Sequence, residues 1–467
     1  MLRPAAALIL LLLTLGWAIG CTGMETSQTD RETDQWGETA QVTASTVPEE
    51  TTTAPPEVDA PAYGYTYSQP SGNRIVEGEG DLPDSRPVDV ELGGTPVWIV
   101  GAPFEDGTAW VAVLEDGRLE AFHLDGNDRV ERLPIAPESL PAGAPPLLKV
   151  EDERLEVVTS DDASPLTHPV PRGENLLWVG EDGRVLVGSE QEELPEVGRS
   201  PADLEEAGRP VRALSDARIV SGTAGGPGVA VLSNPTDRYA HGVLGDELEA
   251  GSIMVLPGSS SEGGAYGRVE PKSGGVFEAL APLWFEPRPG GEDLLAVTES
   301  TPAEGTRVSV YRPDGRLAAA GPFIGEGMRW RHLLAAGPFG PGGEVELAAT
   351  RTPHVGGVIE FYAPDFETGE LEIVATVPGY STHRIYSRNL DTARAGDLDG
   401  EGSWELLVPN QEYTELGAIR RAADGAEVAW ELPVGGKLAT NLASATDAGG
   451  HASVAVGRED GVLRIWP

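Results

Sequence analysis

A chain of 467 residues with 75 acidic and 33 basic side chains carries a formal charge of -42, which repels phosphate backbones and anionic headgroups and argues against nucleic acid as a partner. Its 60 glycines and 39 prolines break helices and suit many short elements joined by tight turns, so the composition points to an all-β chain. The single cysteine excludes an intramolecular disulfide and a cysteine-based metal cluster.

At the amino terminus, Arg3 precedes an apolar run from Ala5 to Leu15, and the segment ends in "WAIGC". A positive end, a short apolar core and small residues before a cleavage point make a secretory signal, too short for a comfortable membrane span. The stretch resembles a bacterial lipoprotein signal, whose lipobox ends in Gly or Ala followed by the acylated cysteine. Gly20 and Cys21 match it, with Ala18 where the family usually has Leu. The resemblance implies a signal peptide over residues 1–20 and lipidation at Cys21. With Thr22 after the cysteine rather than Asp, it implies attachment to the outer membrane or cell surface through a lipid anchor only.

Between Thr22 and Ala62 lie ten threonines and nine acidic residues, too little apolar surface to offset the entropy of ordering. Residues 21–83 therefore read as a lipidated cysteine followed by a flexible Thr/Pro/acidic linker. Removing the net -8 of residues 22–62 and the +1 of Arg3 leaves -35 on residues 63–467. The acidity belongs to the folded part.

From residue 84 onward one pattern recurs: a short alternating strand, an Asp-Gly or similar turn, and a second alternating strand. It is seen in "WVAVLEDGRLEAFHL", "LLWVGEDGRVLVG", "VSVYRPDGRLAAAG", "IEFYAPDFETGELEIVA", "AIRRAADGAEVAWEL" and "VAVGREDGVLRIWP". Asp-Gly between alternating runs is a strong hairpin signal, because glycine reaches the positive φ that a tight turn needs. The turn glycines are Gly117, Gly183, Gly315, Gly369, Gly425 and Gly461, and further strand candidates surround Gly251. Leu294, Leu347, Leu406 and Val454 mark a second repeated strand at intervals near the same length. About seven units of roughly 55 residues follow, the size of a four-stranded blade with generous loops. The expected fold of residues 84–467 is a β-propeller of seven four-stranded blades. Six or eight blades, or a pair of β-sandwiches, are the alternatives.

Between the turn glycines Gly183 and Gly315, an interval of double length, "NPTDRYAHGVLGDELEAGS" gathers Asp237, Arg238, Tyr239, His241, Asp246 and Glu249. The group reads either as the lining of a binding face or channel or as a hydrogen-bond network inside a long loop.

Further along, "AGDLDGEGSWELLV" places Asp397, Asp399, Glu401 and Glu405 in one glycine-rich turn. Four carboxylates so close are costly alone and favourable around a hard cation, since calcium takes six to eight oxygens. Asp397, Asp399 and Glu401, the carbonyl of Ser403 and the carboxylate of Glu405 would be the ligands, with Gly400 and Gly402 permitting the sharp path. The loop resembles the FG-GAP or VCBS repeat, D-x-D-G-D-G-x-x-D-L, of integrin-α-like β-propellers, and the resemblance implies bound Ca2+. Glu401 and Glu405 depart from it by one methylene each.

"AADGAEVAWELPVGG" is also similar to the repeat of quinoprotein-type propellers, but only Trp430 fits well, and Trp430 and Trp466 read as blade packing. The histidines are scattered and no nucleophile or phosphate-binding motif is present. The expected function is a non-enzymatic, calcium-stabilised monomer that presents loops to a protein or glycan at the cell envelope. The alternatives are a propeller enzyme, either a polysaccharide lyase or a quinoprotein-like dehydrogenase, or an envelope assembly factor.

Overall fold

The computed structural model describes residues 60–467 apart from 161, 173–174, 190–204, 207–208, 211, 223–227 and 257–266. The expected signal peptide, Cys21 and most of the linker lie outside the described residues. Every regular element among those residues is a β-strand. The six turn glycines read from the sequence all have positive φ, between 77° and 149°, and each is flanked by the two strands of its hairpin.

The strands form antiparallel meanders. Blade 1 is Pro96–Phe104, Gly107–Leu114, Leu119–Leu124 and Val130–Leu133. The second unit, from Leu148 to Ser189, carries two three-stranded sheets instead of one of four. Blades 3, 4, 5 and 6 begin at Val220–Ser221, Leu283–Phe285, Arg331–Gly337 and Arg394–Asp397. In blade 7, Leu438–Thr446, Ala452–Arg458 and Val462–Trp466 are completed by a strand from the other end of the chain, Val88–Glu91.

Gly107–Leu114 is buried at every position, because both faces of a blade are covered by its neighbours. Apolar clusters fill the spaces between blades 4 and 5, 5 and 6, and 6 and 7. Ile99, Trp110 and Phe122 of blade 1 pack against Ala443, Leu463 and Ile465 of blade 7. The last unit therefore meets the first.

The stretch before residue 84 is the largest departure from expectation, because residues 62–83 are part of the folded body. Ala62–Gly64 pairs with Leu148–Glu151 of the second unit, and Tyr67 stacks on His168 at 5.4 Å. The Pro70 carbonyl accepts from Ser221 N–H of blade 3 at 2.7 Å, and the Ser71 carbonyl from Trp284 N–H of blade 4 at 2.9 Å. Asn73 donates to the Ala336 carbonyl of blade 5 at 2.7 Å and accepts from Ala336 N–H at 3.1 Å. The Arg74 carbonyl accepts from Ala395 N–H of blade 6 at 2.9 Å, and Ser68 Oγ lies 3.2 Å from Ser444 Oγ of blade 7. A Cβ on Gly64 would come within 2.4 Å of the Gly101 carbonyl oxygen of blade 1. One short segment can touch all seven units only if they stand in a ring around it. The fold is a β-propeller whose axis is threaded by its own chain.

Charge holds the thread in place. Asp391, fully buried, accepts from Arg74 at 3.1 Å and from Arg218 at 2.5 Å. Burial alone would raise the Asp391 pKa, but Arg218, Arg74 and Arg394 outweigh it and hold the carboxyl well below its usual range. Burial drops the Arg394 guanidinium to about 9, against the attraction of Asp391. Beside Arg74 and Arg218 a cavity of about 30 Å³ remains, room for about one water.

Candidate functional site

In an antiparallel meander successive connections open on opposite faces of the ring. First-to-second and third-to-fourth connections lie on one face, here the first face. Second-to-third connections and the links between blades lie on the other, the second face. The acidic turn from Asp397 to Glu405 joins the first two strands of blade 6 and so belongs to the first face.

Three of its predicted ligands converge: one oxygen each of Asp397, Asp399 and Glu405 lies within 4.8 Å of the others. Gly400 and Gly402, at φ 70° and 78°, turn the chain sharply enough for this. Glu401 and Ser403 are exposed, and the Glu401 carboxylate stands outside the group. Asp397 Oδ2 accepts from Gly402 N–H at 3.0 Å, whereas Asp397 Oδ1 is buried and has no hydrogen-bond partner. An orphaned buried carboxylate oxygen fits a cation.

The sequence reading missed Arg420. Its Nε donates to Glu405 Oε1 at 2.7 Å, its Nη2 reaches Asp399, and Trp430 Nε1 donates to Asp399 Oδ2 at 3.1 Å. Trp430 is thus a hydrogen-bond donor to the turn as well as packing for the blade. Burial, then the negative charge of Asp399, pushes the Glu405 carboxyl up to about 7, against the pull of Arg420. The turn therefore carries an internal cation on Asp399 and Glu405 and an open oxygen on Asp397.

The 237–249 group behaves as a network within a loop. Tyr239 is buried, Arg238 donates to the Gly275 carbonyl, and His241 Nδ1 pairs with the buried Glu278. Asp246 accepts from Arg388 Nη2 at 2.7 Å, and Arg388 Nε also reaches Asp216 at 3.0 Å. Asp237 has no described role. Burial, then the neighbouring charges of Glu278, Asp246 and Asp216, pushes the Glu249 carboxyl well above its usual range. Arg238, His241 and Asp246 are paired within the protein, whereas the Tyr239 hydroxyl is buried without a hydrogen-bond partner.

Around that loop the second face exposes several large apolar side chains. Leu248, Met328, Val355, Ile385 and Tyr386 are 49–71% exposed and all belong to second-face connections. The loops that carry them touch: Tyr386 N–H donates to the Val243 carbonyl at 2.8 Å, and a Cβ on Gly245 would lie 2.8 Å from Arg388. Towards the axis the same face has a cavity of about 280 Å³ lined by Trp98, Arg384, Arg388, Tyr413 and Leu438, among others.

Fold and site together define a threaded β-propeller with an acidic turn on one face and an apolar loop cluster on the other. No family model matches the sequence, and no curated protein matches it. Similar solved structures share little sequence. BamB from Moraxella catarrhalis is 12% identical, with 81% of this chain and 98% of that one covered and a TM-score of 0.44. The BBS1N protein in complex with ARL6DN is 9% identical over 83% and 98%, with a TM-score of 0.44. Quinohemoprotein alcohol dehydrogenase from Comamonas testosteroni is 10% identical over 86% and 80%, with a TM-score of 0.48.

Proposed function

We propose that this chain is a non-enzymatic propeller scaffold that binds a partner protein on its second face. In this reading it is displayed at the outer membrane or cell surface through a lipid on Cys21 and stiffened by calcium on its first face. The observation that carries the reading is the group of five exposed apolar side chains on mutually packed second-face loops. Contiguous exposed apolar surface marks an interaction site. Because residues 62–76 fill the axis, contact with a ligand falls to the faces. Leu248, Met328, Val355 and Ile385 are aliphatic or thioether side chains, which suit an interface core with protein better than the polar surface of a glycan.

On the first face, Asp397, Asp399 and Glu405 would hold Ca2+ in the manner of an FG-GAP loop, the ion taking over the charge that Arg420 now balances. When bound, calcium supplies no chemistry beyond fixing the strand connection.

A photo-crosslinking residue placed at Val355 in cells tests the surface. A discrete adduct is expected there, lost on adding Ile385→Asp and Tyr386→Ser, and absent when the crosslinker sits at Val428 on the outer strand of blade 6. Crosslinking of equal yield at both positions, or none at Val355, would overturn the reading.

A further inference from the structure

We infer that Glu105, Asp106 and His123 form a binding site for a divalent transition-metal ion of the zinc type on the first face of blade 1. Glu105 and Asp106 are the two residues of the turn between Pro96–Phe104 and Gly107–Leu114, with Phe104 paired to Gly107. The turn lies against the end of the strand that carries His123. A Cβ on Gly107 would stand 2.0 Å from the Leu124 carbonyl oxygen, so glycine is what allows the approach.

His123 is 7% exposed, and Phe104 meets its ring edge-on at 5.0 Å. Its Nε2 is buried and has no hydrogen-bond partner, although Asp106 Oδ1 is 3.5 Å away. Glu105 Oε2 lies 4.0 Å from Nδ1 of the same ring. One ligand atom from each of the three residues falls within 4.8 Å of the others.

A direct hydrogen bond would draw Nε2 and Oδ1 to about 2.9 Å. Two donors on one tetrahedral ion, each about 2.0–2.1 Å from it, stand about 3.3 Å apart. The observed 3.5 Å is close to the second arrangement. Glu105 and Asp106 are largely exposed, so both carboxylates can close on the ion without repacking the blade.

The donor set also selects the metal. One imidazole and two carboxylates suit zinc, nickel or cobalt, whereas calcium and magnesium prefer oxygen alone. Two carboxylates and a neutral imidazole balance a divalent charge, and a fourth position is left to water. The site is separate from the acidic turn of blade 6 and does not rest on the calcium reading.

Titrating zinc into the full chain in the presence of millimolar calcium, with bound metal counted by elemental analysis after dialysis, tests the inference. One zinc per chain is expected. His123→Ala and Asp106→Asn should each weaken binding about tenfold or more, while Asp397→Ala with Asp399→Ala should leave it unchanged. Asp106 is exposed on a turn, so its variant keeps the test valid if the His123 variant misfolds. Wild-type zinc affinity in the Asp106→Asn chain, no retained zinc, or displacement of zinc by calcium would each overturn the site.

Discussion

Glu405 stands directly opposite Arg420 in the strand register of blade 6, and the two must be considered together before a metal is added. With a folded-state pKa of about 7 against an ordinary 4.5, Glu405 binds its proton more tightly in the folded protein. Its contribution to stability is therefore present below pH 4.5 and is lost as pH rises from 4.5 to 7. Calcium favours the ionised form, so it acts most where that penalty is greatest. The expected outcome is a calcium-induced rise in melting temperature of about 3–5 °C at pH 8, smaller at pH 5.5 and absent in the Asp397→Ala, Asp399→Ala chain. Arg420→Met, which removes the competing guanidinium, should enlarge it. Equal melting with calcium and with chelator at pH 8 would reject the calcium reading. At this scale the sequence exposed the carboxylates, because D-x-D-G spacing is local. It hid Arg420, whose place depends on a register that only the folded sheet sets.

Hairpins were legible for the same local reason. In the turns at Gly117, Gly183 and Gly315 the preceding Asp accepts from the following Arg, with the same Nε–Oδ2 distance of 2.7 Å in each. The axial thread was not legible: Ser68 meets Ser444 across 376 residues of sequence, and no periodicity within residues 62–76 announces partners in seven different units of the ring. Its composition, continuous with a Thr/Pro-rich stretch, resembles a linker more than a core element. Asn73 shows how such a segment is held without apolar bulk. Its amide satisfies both backbone groups of Ala336 and also accepts from Arg74 N–H at 3.0 Å. Asn73→Ala would leave the Ala336 N–H, the Ala336 C=O and the Arg74 N–H without this partner, each loss costing about 1–3 kcal/mol. A loss of about 3 kcal/mol in denaturant unfolding is expected, with the transition still single. A loss under about 0.5 kcal/mol would mean that the thread does not bear on the stability of the ring.

For the molecule as a whole, the ring gathers what the sequence scatters. Leu248, Met328, Val355 and Ile385 are separated by 27 to 80 residues, and only the alternation of connections brings them to one face. The acidic turn and the Glu105–Asp106 turn fall on the opposite face by the same rule. Net charge also acts at this scale, since residues 63–467 carry -35 and like charges oppose the compact state. Added salt has two opposing effects. It weakens exposed pairs such as Arg118–Asp116 and Arg316–Asp314, which contribute little. It also screens the long-range repulsion, as the Debye length falls from about 30 Å at 0.01 M to about 8 Å at 0.15 M. Buried contacts such as Arg74–Asp391–Arg218 are screened far less. Repulsion among the excess acids outweighs the attraction within the exposed pairs, so the melting temperature of the chelated protein should rise as sodium chloride increases over that range. The Asp397→Ala, Asp399→Ala chain should show the same rise, which separates general screening from a site-bound cation. A melting temperature that falls with salt would show instead that the surface pairs, taken together, outweigh the net charge.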